Sequence, residues 1–353
     1  METLNERIAQ TGSSRIAFIG LTHGAGKTTA MRHVAAGMAE RGIPIGVAAA
    51  GWRDSDLEAA GGPATLVLEL SEGSVVATTA PVVARSGAML ETLERVECSS
   101  SVGQVLVSQV KKAGEVEVIG PGTGPELRKT VEAIRRRMDG PILIEGSLAR
   151  KGFSAPAVAD HLVLAIGAGL APSMDRLIPA VRYYLDLFRA PVVPPAAAAL
   201  FERAAAEWRC ILAGPGWEIL DSFHWQVRDN APSLLGRRDM DPAAVIVPQS
   251  VTDELVIPLL REGIHLHFIV RDPMRNALSP IYRAAWEKRG GGVTVVHLPK
   301  VLALVANPVN PTGPDFDPKE FLTALSKGLP GVPVHDVALE TRGSLTKKRW
   351  FGR

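Results

Sequence analysis

The stretch GLTHGAGKTT, residues 20–29, follows the apolar run Ile16–Ile19 and decides the fold class. A phosphate-binding loop has a glycine, four free residues, and then Gly, Lys and Ser or Thr. Counting back from the Gly-Lys-Thr at 26–28, the first position falls on Leu21, one residue after the nearest glycine. The other end of such a loop grips the phosphate, and that end is complete. The stretch therefore predicts a nucleotide-binding loop.

The residues expected to hold the nucleotide are Gly24, Ala25, Gly26, Lys27, Thr28 and Thr29. In this arrangement, consecutive backbone N–H groups and the N-terminus of the next helix converge on the phosphate. Glycines permit positive φ and a close backbone approach, Lys27 supplies a positive charge, and the Thr28 hydroxyl is a ligand for Mg²⁺. The alternative is a glycine-rich strand-to-helix turn that holds no ligand.

The surrounding sequence agrees with the loop. Residues 28–41 predict a helix, because their apolar side chains at 31, 34, 35 and 38 have helical spacing and Arg41-Gly42 is a typical helix stop. Strand, loop and helix thus occur in the order that a phosphate loop requires.

Acidic residues follow two further predicted strands. Asp54 and Asp56 come after the strand 45–50, and we expect one of them to contact Mg²⁺ or to orient the attacking water, with Lys27 as their catalytic partner. The alternative is that these aspartates belong to an ordinary turn. Glu145 ends the strand 141–144, where a Walker B carboxylate would hold Mg²⁺; its alternative role is to cap the following turn.

Length and composition limit the other functions. The chain has 353 residues, enough for two domains, and its net charge of +2 gives no electrostatic reason to expect nucleic acid or a membrane as partner. Cys98 and Cys210 lack the paired spacing of disulfide or zinc motifs, and the chain shows neither a signal peptide nor a transmembrane run. We therefore expect a cytoplasmic protein.

The predicted fold class is α/β: a P-loop NTPase domain with a mainly parallel sheet and a β-hairpin insertion, followed by a second, smaller α/β domain. The expected divisions are a nucleotide-binding domain at 1–190, its β-rich insertion at about 65–120, a C-terminal domain at 200–340 and a polar basic tail at 341–353. The proline-rich stretch 189–199 marks the boundary.

Within the insertion, apolar runs flank the turns 71–73 and 111–114 and predict two hairpins, with a helical piece between them. The strand-like segments expected in the second domain are 244–247, 266–270, 293–296 and 301–306.

Two other motifs are weaker. NPVNPTG, residues 307–313, resembles a segment of pyridoxal-phosphate aminotransferases, but such enzymes need a Schiff-base lysine well downstream and 40 residues remain. A strand-to-helix connection fixed by its prolines is the favoured interpretation.

His265 and His267 lie two residues apart on a predicted strand, and without a nearby third ligand we expect packing or surface placement rather than metal binding.

The order of several segments resembles the P-loop reactivase subunit associated with lysine 5,6-aminomutase, over about residues 15–337. The segments are GAGKTT, the strand end at Arg53-Asp54, GEVEVIGPGT, EGSLARKGFSAP and VANPVNPTGPDFDPKEFL. His23 stands where this family is expected to have Lys. The resemblance implies an ATP-dependent, chaperone-like factor that ejects damaged cobalamin from an adenosylcobalamin-dependent aminomutase.

The glycine-rich loop, the acidic residues after the second strand and the acidic end of the later strand also resemble the dethiobiotin synthetase and metal-chaperone branch of P-loop proteins. Many proteins of that branch are dimers. The expected cofactors are ATP, with GTP as the alternative, and Mg²⁺; the expected partners are the aminomutase, a second reactivase subunit and a second copy of the chain. Two other functions stay open: a small-molecule ligase or kinase, and a nucleotide-binding regulator without turnover.

Overall fold

The computed structural model describes residues 2–50, 66–100, 102–147, 155–226 and 230–340. It divides the chain into two units, one with the residues up to Arg182 and from Pro299 onward, the other with Tyr183–Leu298. This differs from the expected C-terminal domain at 200–340, because the chain returns to the first unit after Leu298. The basic tail expected at 341–353 lies outside the described residues.

Up to the second unit, the described chain alternates strands and helices. The strands are β1 (Arg15–Gly20), β2 (Gly46–Ala49), β3 (Leu66–Leu70), β4 (Val75–Thr79), β5 (Met89–Ser100), β6 (Gly103–Lys112), β7 (Gly114–Val118), β8 (Ile142–Ser147) and β9 (His161–Gly167). The helices are α1 (Leu4–Ala9), α2 (Lys27–Glu40), α3 (Ala80–Ala84), α4 (Gly124–Arg135) and α5 (Met174–Leu187). Buried apolar strands followed by amphipathic helices are typical of α/β proteins.

The second unit is a smaller α/β structure. Its strands are β10 (Arg209–Ala213), β11 (Ile219–His224), β12 (Ala244–Ile246), β13 (Val251–Thr252), β14 (His267–Val270), β15 (Asn276–Ala277) and β16 (Gly292–Val295). Its helices are α6 (Pro195–Glu207), α7 (Asn230–Leu235), α8 (Asp253–Arg261) and α9 (Pro280–Lys288). The sheet order is β11-β10-β12-β14-β16, with β12, β14 and β16 parallel. The stacked rings of Phe268 and Trp286, with centroids 5.3 Å apart, pack in its core.

The chain then returns to the first unit as β17 (Lys300–Asn307), α10 (Pro318–Gly328) and β18 (Val334–His335). The segment 301–306 was expected in the C-terminal domain, whereas β17 pairs in parallel with β9 on one side and β18 on the other. Both edges of this buried apolar strand are thereby hydrogen-bonded inside the first sheet.

The large sheet has nine strands in the order β18-β17-β9-β1-β8-β2-β4-β6-β5 and is mainly parallel. β1 lies between β8 and β9, with Phe18 opposite Glu145 and Gly20 opposite Ala165. Because neighbouring parallel strands end at the same edge, the residues that follow β1, β9 and β17 meet there. This edge positions the candidate site.

The antiparallel part of the molecule differs from the two expected hairpins. β4 is bonded to β2 on one side and β6 on the other, so β3 pairs instead with β7 in a separate two-stranded sheet. β6 is likewise enclosed by β4 and β5, and the hairpin that forms is β5–β6. A helical segment was expected between the two hairpins. The only helix that the structure describes there is α3, and most of the segment forms the strand β5.

Candidate nucleotide-binding site

The loop between β1 and α2 has the backbone shape that its glycines permit. Gly24 has a φ of +67° and Gly26 a φ of +90°, both in the left-handed region that disfavours residues with a Cβ. Gly26 is the N-cap of α2, and within the described chain no side chain caps this helix and no acidic residue occupies its first turn. The first N–H groups of α2 and its positive dipole end are therefore suited to an external anion.

Lys27, Thr28 and Glu145 meet beside this helix N-terminus. Lys27 Nζ lies 2.6 Å from Glu145 Oε1, and the Thr28 hydroxyl donates to the same oxygen over 3.1 Å. The side chains of Lys27 and Glu145 are 25% and 17% exposed. These side chains meet because β8, which contains Glu145, is the parallel neighbour of β1 in the sheet, and the end of β1 leads into the loop. Two hard oxygen donors thus lie together, and such a pair fits the coordination preference of Mg²⁺.

The other candidate residues have different placements. Ala25 is buried, whereas Thr29 is exposed in the first turn of α2. Asp54 and Asp56, the expected catalytic acids, lie outside the described residues. Of the predicted site residues, the structure therefore brings together Lys27, Thr28 and Glu145.

The loop between β1 and α2 makes a further contact that was not predicted from the sequence. Asn307, at the end of β17, donates from Nδ2 to the Gly24 carbonyl over 2.8 Å. A Cβ on Gly26 would lie 3.1 Å from the Asn307 Cβ, and one on Gly24 would lie 3.0 Å from Pro311 Cγ. The segment 307–313 does connect a strand to a helix, as expected, and it also packs against the loop. Its repeated Asn-Pro pairs were the available signal.

The end of β9 supports the loop from another side. The Leu21 N–H donates to the Ala165 carbonyl over 2.9 Å. A Cβ on Gly167 would lie 2.8 Å from the Ala25 Cα, so only glycine leaves room for the loop at this position. The sequence IGAGL at 166–170 is the local signal of this close approach.

The weaker candidates occupy other positions. His267 lies in the second unit, hydrogen-bonded to the Thr294 hydroxyl, and burial lowers its pKa. In the described parts of the chain, no three His, Cys, Asp or Glu side chains form a group that could hold a metal. Cys98 and Cys210 are buried free thiols, and burial raises the pKa of each.

A cavity of about 390 Å³ lies in the second unit. His267, Arg283 and Glu287 are among its lining residues, and the Arg283 guanidinium donates to Glu287 over 2.8 Å. Arg283 and Glu287 are thus paired with each other.

The described helices are all too short or too polar to cross a membrane. No protein-family model matches the chain, and no curated protein matches its sequence. Among solved structures, the chain is similar to "pNOB8 ParA bound to nonspecific DNA", at 14% sequence identity and a TM-score of 0.27. The similarity covers 65% of this chain and 73% of that chain. So distant a likeness adds nothing to the α/β class that the strand order already defines.

Proposed function

We propose that this protein is a P-loop ATPase that binds and hydrolyses Mg-ATP. The observation that carries the proposal is the cluster of Lys27, Thr28 and Glu145 at the N-terminus of α2, with separations of 2.6 and 3.1 Å. A cation, a hydroxyl and a carboxylate beside a helix whose first turn has no acidic residue are the groups that a nucleoside triphosphate and its metal ion require.

Each residue has a distinct role in this proposal. The backbone N–H groups from Gly24 to Lys27 hold the phosphates, and the Lys27 ammonium exchanges its partner Glu145 for phosphate oxygens. Thr28 and Glu145 hold Mg²⁺, which neutralises charge on the phosphates when it is bound. Asp54 or Asp56 orients the attacking water.

We further propose that hydrolysis drives reactivation of a cobalamin-dependent aminomutase, in line with the resemblance to the lysine 5,6-aminomutase reactivase. Ejecting a tightly held damaged cofactor is uphill, so a nucleotide-driven cycle must supply different affinities for the blocked enzyme in its different states. The partners in this proposal are the aminomutase, a second reactivase subunit and a second copy of this chain.

The test mixes inactivated lysine 5,6-aminomutase, adenosylcobalamin, Mg-ATP and this protein, with and without the candidate second subunit. Recovered turnover and released damaged cobalamin are followed together. We expect recovery that requires both ATP and Lys27. Recovery that is equal without ATP, or with the Lys27→Ala protein, would contradict the mechanism.

The two other functions predict different outcomes in the same experiment. A ligase or kinase releases little phosphate until a small carboxylic acid or amine is added, and it restores no aminomutase activity. A regulator binds nucleotide and hardly hydrolyses it. Parallel titrations with Mg-ATP and Mg-GTP identify the preferred nucleotide.

A further inference from the structure

The hydrogen bond between Asn307 and the phosphate loop carries an inference that rests on the proposed function. We infer that Asn307 is a positioning residue that orients the Ala25 N–H toward the phosphates by holding the Gly24 carbonyl. The observation is the 2.8 Å hydrogen bond from Asn307 Nδ2 to that carbonyl.

The geometry of the peptide bond gives the reason. In a planar trans peptide, the C=O of one residue and the N–H of the next point in opposite directions. Fixing the Gly24 carbonyl toward Asn307 therefore fixes the Ala25 N–H on the opposite side of the loop. Gly24 needs this restraint because glycine has the widest choice of backbone conformations, and it lies here at a φ of +67°.

Asn307 itself is held in place. Its Oδ1 accepts from the Val309 N–H over 3.3 Å, which leaves the amide nitrogen to face Gly24. Its backbone lies at the end of β17, paired with Gly167 of β9. The donor is thus fixed by a strand end rather than by the loop that it orients.

The experiment measures the affinity of the full chain for inorganic tripolyphosphate, Mg-ATP and Mg-GTP by calorimetric titration. Tripolyphosphate has no base or ribose, so it reports on the phosphate loop alone. For Asn307→Ala we expect all three affinities to fall by the same factor, about 3- to 10-fold, the effect of one hydrogen bond. In hydrolysis, we expect KM to rise by that factor with kcat nearly unchanged, because the N–H binds ground state and transition state alike.

Asn230→Ala is the matched control. Asn230, in the second unit, also donates from Nδ2 to a backbone carbonyl over 2.8 Å, that of Gln226. We expect this variant to lose a similar hydrogen bond and to keep the wild-type affinity for tripolyphosphate.

Asn307→Asp is the second variant at this position. It keeps the size of the side chain and the acceptor for the Val309 N–H but has no donor for the Gly24 carbonyl. Its affinity should fall at least as far as that of Asn307→Ala.

Three outcomes overturn the inference. A loss of ATP and GTP affinity with unchanged tripolyphosphate affinity would mean that Asn307 contacts the base or ribose. Unchanged affinity for all three ligands in both variants would mean that the hydrogen bond does not orient the loop. If the wild type binds none of the ligands, the proposed function itself fails, and the role of Asn307 fails with it.

Discussion

The helix α2 follows β1 through the loop 21–26, and the helix α8 follows β12 through residues 247–252, which include the short strand β13, yet the first turns of the two helices differ in charge. α2 begins with Lys27 and has no acidic residue in its first turn. α8 begins with Asp253 and Glu254. Both helices have N–H groups without intrahelical partners and a positive dipole end. In α8 the carboxylates of Asp253 and Glu254 lie at that end, whereas the first turn of α2 has no acidic residue, and in the proposed function an external anion binds there.

The two helices are also held in different ways. Asp253 of α8 accepts a hydrogen bond from the Ser279 N–H over 2.8 Å, so its first turn is part of the structural framework. α2 is held from its middle, where His33 Nε2 lies 3.0 Å from Glu340 Oε2. A strand followed by a helix occurs in both units, so the proposed phosphate site depends on features that α2 has and α8 lacks: glycines before the helix, Lys27 at its start and no acidic residue in its first turn.

The largest effect should come from removing the charge of Glu145. Glu145→Gln keeps the shape of the side chain, and we expect ATP turnover to fall roughly 100- to 1000-fold, as when one group that stabilises transition-state charge is lost. Glu254→Gln, in the first turn of α8, is the control and should keep wild-type turnover. Phosphate release measures both. If Glu145→Gln hydrolyses ATP at the wild-type rate, Asp54 or Asp56 becomes the better metal candidate.

The second effect concerns how α2 is anchored. Burial acts to raise the pKa of Glu340, but hydrogen bonds from His33 and His335 outweigh it and lower the pKa from 4.5 to about 2. A carboxylate with a lowered pKa stabilises the folded state above pH 4.5, and this contribution is lost as the pH falls toward 2. We therefore expect the stability difference between wild type and Glu340→Gln, on the order of 2 kcal/mol at pH 6, to shrink across this range.

Denaturant unfolding at pH 6, 4.5 and 3 measures this difference. The exposed Glu72, in the turn between β3 and β4, provides the control, since Glu72→Gln should leave the free energy of unfolding unchanged at each pH. A Glu340→Gln protein as stable as wild type at pH 6 would show that the carboxylate does not anchor α2.

The smallest expected effect is on nucleotide affinity, and it should differ between two glycines that both have a positive φ. Gly26 has a φ of +90° and Gly263, just after α8, a φ of +71°, so an alanine at either costs roughly 1 to 2 kcal/mol of stability. A Cβ at Gly26 would also press on Asn307, whereas nothing lies within 4 Å of one at Gly263. We expect only Gly26→Ala to weaken Mg-ATP binding, by roughly 10-fold. Equal affinity in the two variants, measured by titration, would contradict a special role for the loop conformation.

The sequence predicted that Lys27, Thr28 and Glu145 lie near one another, and the side chains of Lys27 and Thr28 both hydrogen-bond to Glu145. A parallel strand before Gly20 and another before Glu145 end at one edge of a sheet, which is why Lys27, Thr28 and Glu145 could be grouped before their distances were known. The grouping follows from local patterns whose physical meaning does not depend on distant parts of the chain.

The position of β17 and the strand β5 could not be predicted in the same way. The apolar run 301–306 fits either sheet, and only pairing with β9, far away in the sequence, places it in the first unit. The contact of Asn307 with Gly24 depends on that pairing. In β5, apolar Leu90, Leu93 and Val96 are spaced as in a helix, yet the segment is a strand with three register shifts. Tertiary pairing overrides local preference there.

The affinity of Lys27→Ala for Mg-ATP is the decisive measurement for the proposed nucleotide-binding loop. Lys27 contributes a charge-assisted contact, and its loss should weaken binding by roughly 10- to 150-fold in calorimetric titration. The exposed Lys288, at the end of α9, is the matched control, and Lys288→Ala should bind like the wild type. We expect the wild type to bind Mg-ATP or Mg-GTP and the affinity to fall selectively in Lys27→Ala. Unchanged affinity for both nucleotides in that variant, or no binding by the wild type, would contradict it.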